Sequence, residues 1–147
     1  MRTFHKLTIL TSTLCLLSAI PGMAQLTGTL TFQAPFPFYA GNAKLPAGSY
    51  TVTQQDDNTD LVRIESADGS HSVFVEYMAD DSDTAPARTE VAFNKYSNTE
   101  FLCRISVEGQ NAMQLLASKV EQNAARAAVA EKHSLSAKSQ SNNARTH

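Results

Sequence analysis

The sequence predicts a mainly β protein, an antiparallel β-sandwich or open barrel of about seven strands with a short C-terminal helix. Three observations predict it. Residues 25–117 hold short β-favouring runs, several of them alternating apolar and polar positions. Turn signals such as Asp68-Gly69 separate these runs at intervals typical of antiparallel sandwiches and barrels. An alanine-rich stretch opened by Ser118-Lys119-Val120-Glu121 follows them, and it carries the only convincing helix signal.

In chain order, residues 1–24 read as a signal peptide. Arg2 and Lys6 give a basic start, Leu7 to Ile20 an uncharged and mostly apolar run, and Gly22-Met23-Ala24 the small residues a signal peptidase reads. The run is shorter than the roughly 20 residues a spanning helix needs, and Pro21-Gly22 breaks it, so no stable membrane span is expected after cleavage. Leu14 before Cys15 is too bulky for a lipoprotein signal. The expected localisation is periplasmic or secreted.

Residues 25–117 read as the β domain. Thr29 to Gln33, Ser49 to Gln55 and Leu61 to Ser66 supply the first strands. Ser70 to Met78 carries Val73, Val75 and Tyr77 on one face with Phe74 and Met78 on the other, which suggests a central strand covered on both sides. Asp68-Gly69 is a two-residue hairpin signal that should join it to the preceding strand, because both residues tolerate the positive φ that matches strand twist. Thr89 to Tyr96 and Phe101 to Val107 follow, with turns at Asp56-Asp57-Asn58, Ser97-Asn98 and Glu108-Gly109-Gln110. Met113 to Ala117 fits either a last short strand or the approach to the helix. Residues 118–133 then read as a peripheral helix with an apolar face of alanines, Val120 and Val129, and residues 134–147 as a disordered tail too poor in apolar groups to order.

Charge and cysteine usage narrow the function. Without its first 24 residues the chain has ten basic and fourteen acidic side chains, with residues 25–117 at −7 and residues 118–147 at +3. An acidic body with a mildly basic end is not the footprint of a nucleic-acid reader. Cys103 would be the single cysteine left, so no internal disulfide can form and stability must come from packing. The alternation of Phe101, Cys103, Ile105 and Val107 assigns that thiol to the core as a buried, inert group, with a reactive or intermolecular thiol as the alternative.

The stretch Pro35-Phe36-Pro37-Phe38-Tyr39, followed by Leu45-Pro46-Ala47-Gly48-Ser49-Tyr50, resembles a family of small, uncharacterised exported bacterial proteins with a Pro-Phe-x-Phe and Leu-Pro-Ala-Gly-x-Tyr element. Val91-Ala92-Phe93-Asn94-Lys95-Tyr96, Phe101-Leu102 and Ser118-x-x-Glu121 extend the likeness over about residues 30–121. Ser97-Asn98 stands where such relatives often have Gly-Asp, so this turn departs from the pattern. The resemblance implies an exported β domain and brings no activity or catalytic residue with it. Physically, Pro46 suits the second position of a turn, Pro35 and Pro37 suit a sheet edge or an extended connection, and Phe36, Phe38 and Tyr50 would close one end of the core. The alternative is an aromatic groove for a glycan or peptide.

Candidate chemistry is sparse. Asp56, Asn58 and Asp60 match the first, third and fifth positions of a calcium loop, but Leu61 and Ala67 occupy the positions that need Gly and Glu. Asp80-Asp81-Ser82-Asp83 is a second acidic cluster, and polar turns explain both. His71 would need Glu76 or Glu90 brought to it by folding to act in catalysis. No catalytic, cofactor-binding or metal residue is assigned. The expectation is a non-enzymatic binding or structural module of the bacterial cell envelope whose partner is an envelope or extracellular protein or glycan, with no cofactor. An unrecognised hydrolase or isomerase and a calcium-stabilised adhesion domain are the alternatives.

Overall fold

The computed structural model describes residues 26, 28–55, 60–80 and 84–141. The proposed signal peptide therefore lies outside the described residues, as do 56–59 and 81–83 of the two acidic loops. Ten strands and one helix follow in order: β1 Thr29–Ala34, β2 Phe38–Ala40, β3 Ala43–Leu45, β4 Gly48–Gln54, β5 Leu61–Ser66, β6 Ser72–Ala79, β7 Glu90–Tyr96, β8 Thr99–Ser106, β9 Met113–Leu115, α1 Lys119–Ala127 and β10 Glu131–Gln140.

Eight of these strands close into an antiparallel barrel in the ring order β1-β4-β5-β6-β9-β8-β7-β10 and back to β1. The mainly β class and the short helix are as the sequence predicts, whereas the sandwich and the open barrel are not. Closure comes from β10, which pairs with β1 from Thr29↔Gln140 to Phe32↔Ala137 and with β7 from Glu131↔Lys95 to Ser136↔Glu90. The expected helix over 118–133 thus stops at Ala127, and much of the expected disordered tail is a wall strand. The reason is nonlocal: two backbone ladders, one on each side, order a segment whose own side chains bury little. β2 and β3 form a small flap on β8, joined through the parallel pairs Phe38↔Glu100 and Tyr39↔Phe101.

An eight-stranded barrel has an interior about wide enough for its side chains to fill. Here aromatic rings fill one end: Phe32, Phe38, Tyr50 and Phe93 pack with centroids 5.1–6.4 Å apart. Phe36, delivered by the Pro35–Pro37 connection between β1 and β2, lies edge-on to Phe93 and to His133. The packing role expected of Phe36, Phe38 and Tyr50 is therefore the one they have, and Tyr50 also donates from its hydroxyl to the Pro46 carbonyl at 2.6 Å. At the other end Gln54 links the Tyr77 hydroxyl (2.7 Å) to the backbone N–H of Leu26, which is itself buried.

Two expected faces are corrected. On β6, Val75 and Tyr77 are buried but Phe74 and Met78 are each 53% exposed, so that strand is covered on one side, as in any single-walled barrel. On β8 the register shifts, pairing Arg104 with Ala92 and Leu102 with Phe93, which leaves Cys103 as the extra residue of a β-bulge. Leu102 and Ile105 join the core, whereas Phe101 stacks on Tyr39 at 5.1 Å and Cys103 stays outside the core cluster. The bulge breaks the alternation, yet Cys103 is buried as expected, on the outer side of the wall rather than in the barrel interior. Val120 and Val129 are exposed as well, and the buried side chain of α1 is Glu121.

Candidate functional site

Outward-facing positions of β7, β8 and β10 form the floor of a groove of about 580 Å³ on the barrel wall. Ala92 contributes a small side chain to its lining, and the loop at Pro86–Arg88 gives it a rim. Arg88, Arg104 and Lys132 line it as cations, with Glu90 among them. Arg104 is already paired through Nη2 to Asp80 Oδ2 at 2.8 Å. Polar side chains supply the rest: Gln114 Nε2 donates to the Cys103 carbonyl at 2.9 Å, and Asn94 Nδ2 donates to Glu121 Oε1 at 2.9 Å.

α1 owes its position to that last bond. Ser118 Oγ accepts from the Glu121 N–H at 3.2 Å, which is the backbone half of the expected capping box. The Glu121 carboxylate goes to Asn94 and ties the helix to β7. Asn94 Oδ1 and Arg104 Nε are closed off from solvent and have no hydrogen-bond partner among the described residues. Buried polar groups are usually satisfied, so this patch of wall carries unspent hydrogen-bonding capacity.

Cys103 also lines the groove, and its thiol donates to the Ala92 carbonyl over 3.4 Å. Burial, reinforced by the Glu121 carboxylate, pushes the thiol pKa up to about 11. A nucleophilic cysteine needs the opposite shift, so the thiol is inert near neutrality, the expected behaviour in a different location.

The other candidates resolve individually. His71 sits in the loop joining β5 and β6, and its Nδ1 lies 2.7 Å from Ser70 Oγ. Asp68 Oδ1 accepts from Ser66 Oγ (2.6 Å), Ser70 Oγ (2.7 Å) and the Ser70 N–H (3.0 Å), and these bonds hold its carboxyl well below the usual carboxylate range. In a catalytic triad the carboxylate orients the imidazole, whereas here it holds serines in a turn. Glu90 is on β7, separated from β6 around the ring by β9 and β8, and Glu76 is five residues further along the β6 chain from His71. Neither carboxylate partner suggested for His71 meets it. The expected two-residue hairpin is corrected: four loop residues lie between the Ser66–His71 backbone pair, with positive φ at Gly69 (+71°) but not at Asp68, whose side chain instead organises Ser66 and Ser70.

Sequence reasoning missed the groove and also a His–Glu contact at the aromatic end, where His133 Nε2 lies 3.5 Å from Oε2 of the buried Glu100. His133 stacks on Phe93 with centroids 5.7 Å apart. The alternation of Glu90, Ala92 and Asn94 is the signal for an outward polar row, but the sequence places Lys132 and His133 at a helix end, where they have no partner strand. Among the described residues no cluster of three metal-ligating side chains occurs, and no helix is long and apolar enough to cross a membrane. No protein-family model, curated protein or solved structure matches this chain.

Proposed function

We propose that this chain is an exported, non-enzymatic binding module of the bacterial cell envelope, periplasmic or secreted, and that it binds an envelope or extracellular partner on the outside of its barrel. The observation that carries this reading is the division of the barrel wall: the inside is filled by side chains, while the outer groove over β7, β8 and β10 combines cations, amides and unsatisfied polar atoms. Export rests on the N-terminal pattern of Arg2, Lys6, the apolar run and Gly22-Met23-Ala24, and on the resemblance to exported β proteins. A closed barrel offers little free sheet edge, so partner recognition falls to side chains on the wall.

The test is retention of partners from envelope and secreted fractions by immobilised residues 25–147, wild type beside Arg88→Glu/Lys132→Glu. Both residues are exposed, so the double variant should keep the melting temperature. Partners that bind the wild type and are lost from the variant support the groove. Equal retention by both proteins would move the binding surface elsewhere, with the exposed Phe74–Met78 face the next to mutate.

A further inference from the structure

We infer that β10 is an exchangeable strand, and that the gap it fills between β1 and β7 accepts the β10 of a second copy of this chain, giving a reciprocal strand-exchanged dimer. The inference is independent of the groove and of export.

Four observations meet on this strand. First, none of its ten residues is buried: His133, Leu135 and Ala137 are half-buried and the other seven exposed, although the strand is paired on both sides. Its sequence contains no β-branched residue, and its one aromatic side chain, His133, is its main side-chain anchor, against Phe93, Phe36 and Glu100; beyond that residue the backbone ladders hold it. Second, the strands it joins are well anchored elsewhere. β1 is paired with β4 over six residues and β7 with β8 over seven, with Leu30, Phe32, Val91 and Phe93 all buried. The frame can thus survive release of β10, but release uncovers two strand edges that demand a partner.

Third, the connection suits a hinge. α1 buries only Glu121, and Val129 between α1 and β10 is 91% exposed, so few contacts resist a swing of the arm. Fourth, the charges suit an arm in this gap whichever copy supplies it. Residues 118–147 carry +3 and residues 25–117 carry −7, so an arm is attracted to a body, its own or that of a second copy. A second copy supplies the same side chains in the same register, and exchange of an identical element is a low-cost route to a dimer.

The test uses the full-length protein with Cys15→Ser and Cys103→Ser throughout, so that the new thiols are the ones that report. Ala92 and Ser134 are register partners on β7 and β10 and share the outer side. Copies carrying Ala92→Cys are mixed with copies carrying Ser134→Cys and oxidised after incubation at high concentration, and Ala92→Cys/Ser134→Cys in one chain gives the internal control. Exchange predicts a covalent heterodimer linked 92 to 134 whose yield rises with protein concentration. Hydrogen exchange on the unmodified protein should show β10 amides opening roughly tenfold or more faster than those of β4 and β5. The inference is overturned if the single-chain control closes its disulfide while the mixture gives no 92–134 link. It is equally overturned if β10 amides are as protected as those of β4.

Discussion

The β4–β5–β6 meander and the closing strand β10 are both part of one barrel wall, yet they are held by different means. The meander alternates buried Val52, Val62, Ile64, Val75 and Tyr77 with outward positions, mostly polar but with Phe74 and Met78 exposed on β6, and its β5–β6 turn is built by Asp68 and Gly69. β10 has Leu135, Ala137 and the His133 ring for apolar contact and otherwise depends on hydrogen bonds to strands far away in the chain. A strand can therefore be specified by its own residues or by the gap left for it.

The sharpest way to break that comparison is to truncate one apolar side chain in each region and follow denaturant unfolding. Ile64→Ala, in a fully buried site, should cost about 2–5 kcal/mol, whereas Leu135→Ala should cost about 1 kcal/mol because its side chain is half in solvent already. Equal losses would mean that β10 is as deeply anchored as the meander.

Gly28 tests the closing ladder from its other side. It holds φ +106°, and a Cβ there would come within 2.1 Å of the Gln140 carbonyl oxygen. Gly28→Ala should cost about 1–3 kcal/mol through the strained backbone and the displaced strand end. Hydrogen exchange should place the loss in β10 and β1 while β5 and β6 stay protected.

A gain is expected at the β7–β8 turn. Ser97 takes φ +56°. Ser97→Gly should raise stability by roughly 0.5–1 kcal/mol, since glycine adopts this region without the steric penalty. A lower melting temperature in the glycine variant would show that Ser97 holds the turn through contacts worth more than its strain.

The effect expected at Cys103 is absent near neutral pH and appears only in alkali. Its thiol pKa is raised by burial from about 9 to about 11, so the folded state holds the proton more tightly than the unfolded chain. The resulting stability is complete below pH 9 and is lost as pH rises through 11. Tyr50, Tyr77 and Tyr96 are also shifted upward by burial, so the informative quantity is the difference between wild type and Cys103→Ala across that window. The variant should lose less stability there, and identical pH profiles would show that the thiol is not desolvated.

How much was legible follows the same division. The meander strands, the turn at Asp68-Gly69, the role of Phe38 and Tyr50 and the cap at Ser118 could be read because neighbouring residues specify them. The bulge at Cys103 could not, because one residue too many in β8 is visible only against β7. β10 could not either, since its ordering comes from β1 and β7, and the groove disappeared with it: Lys132 acquires neighbours only once the strand exists. His71 had the right residue type for catalysis, but the ring order keeps Glu90 away from it.

The pairing of Thr29 with Gln140 joins the first strand of the barrel to its last. A chain released N-terminus first, whether from a ribosome or through a translocation pore, can form the meander as it emerges but cannot complete the ring until Gln140 has followed. Until then β1 and β7 have open edges, and the pairing that closes the ring is the most nonlocal of the barrel, a kind of contact that forms slowly. Such a chain stays threadable for almost its whole length and locks only when the last strand is through.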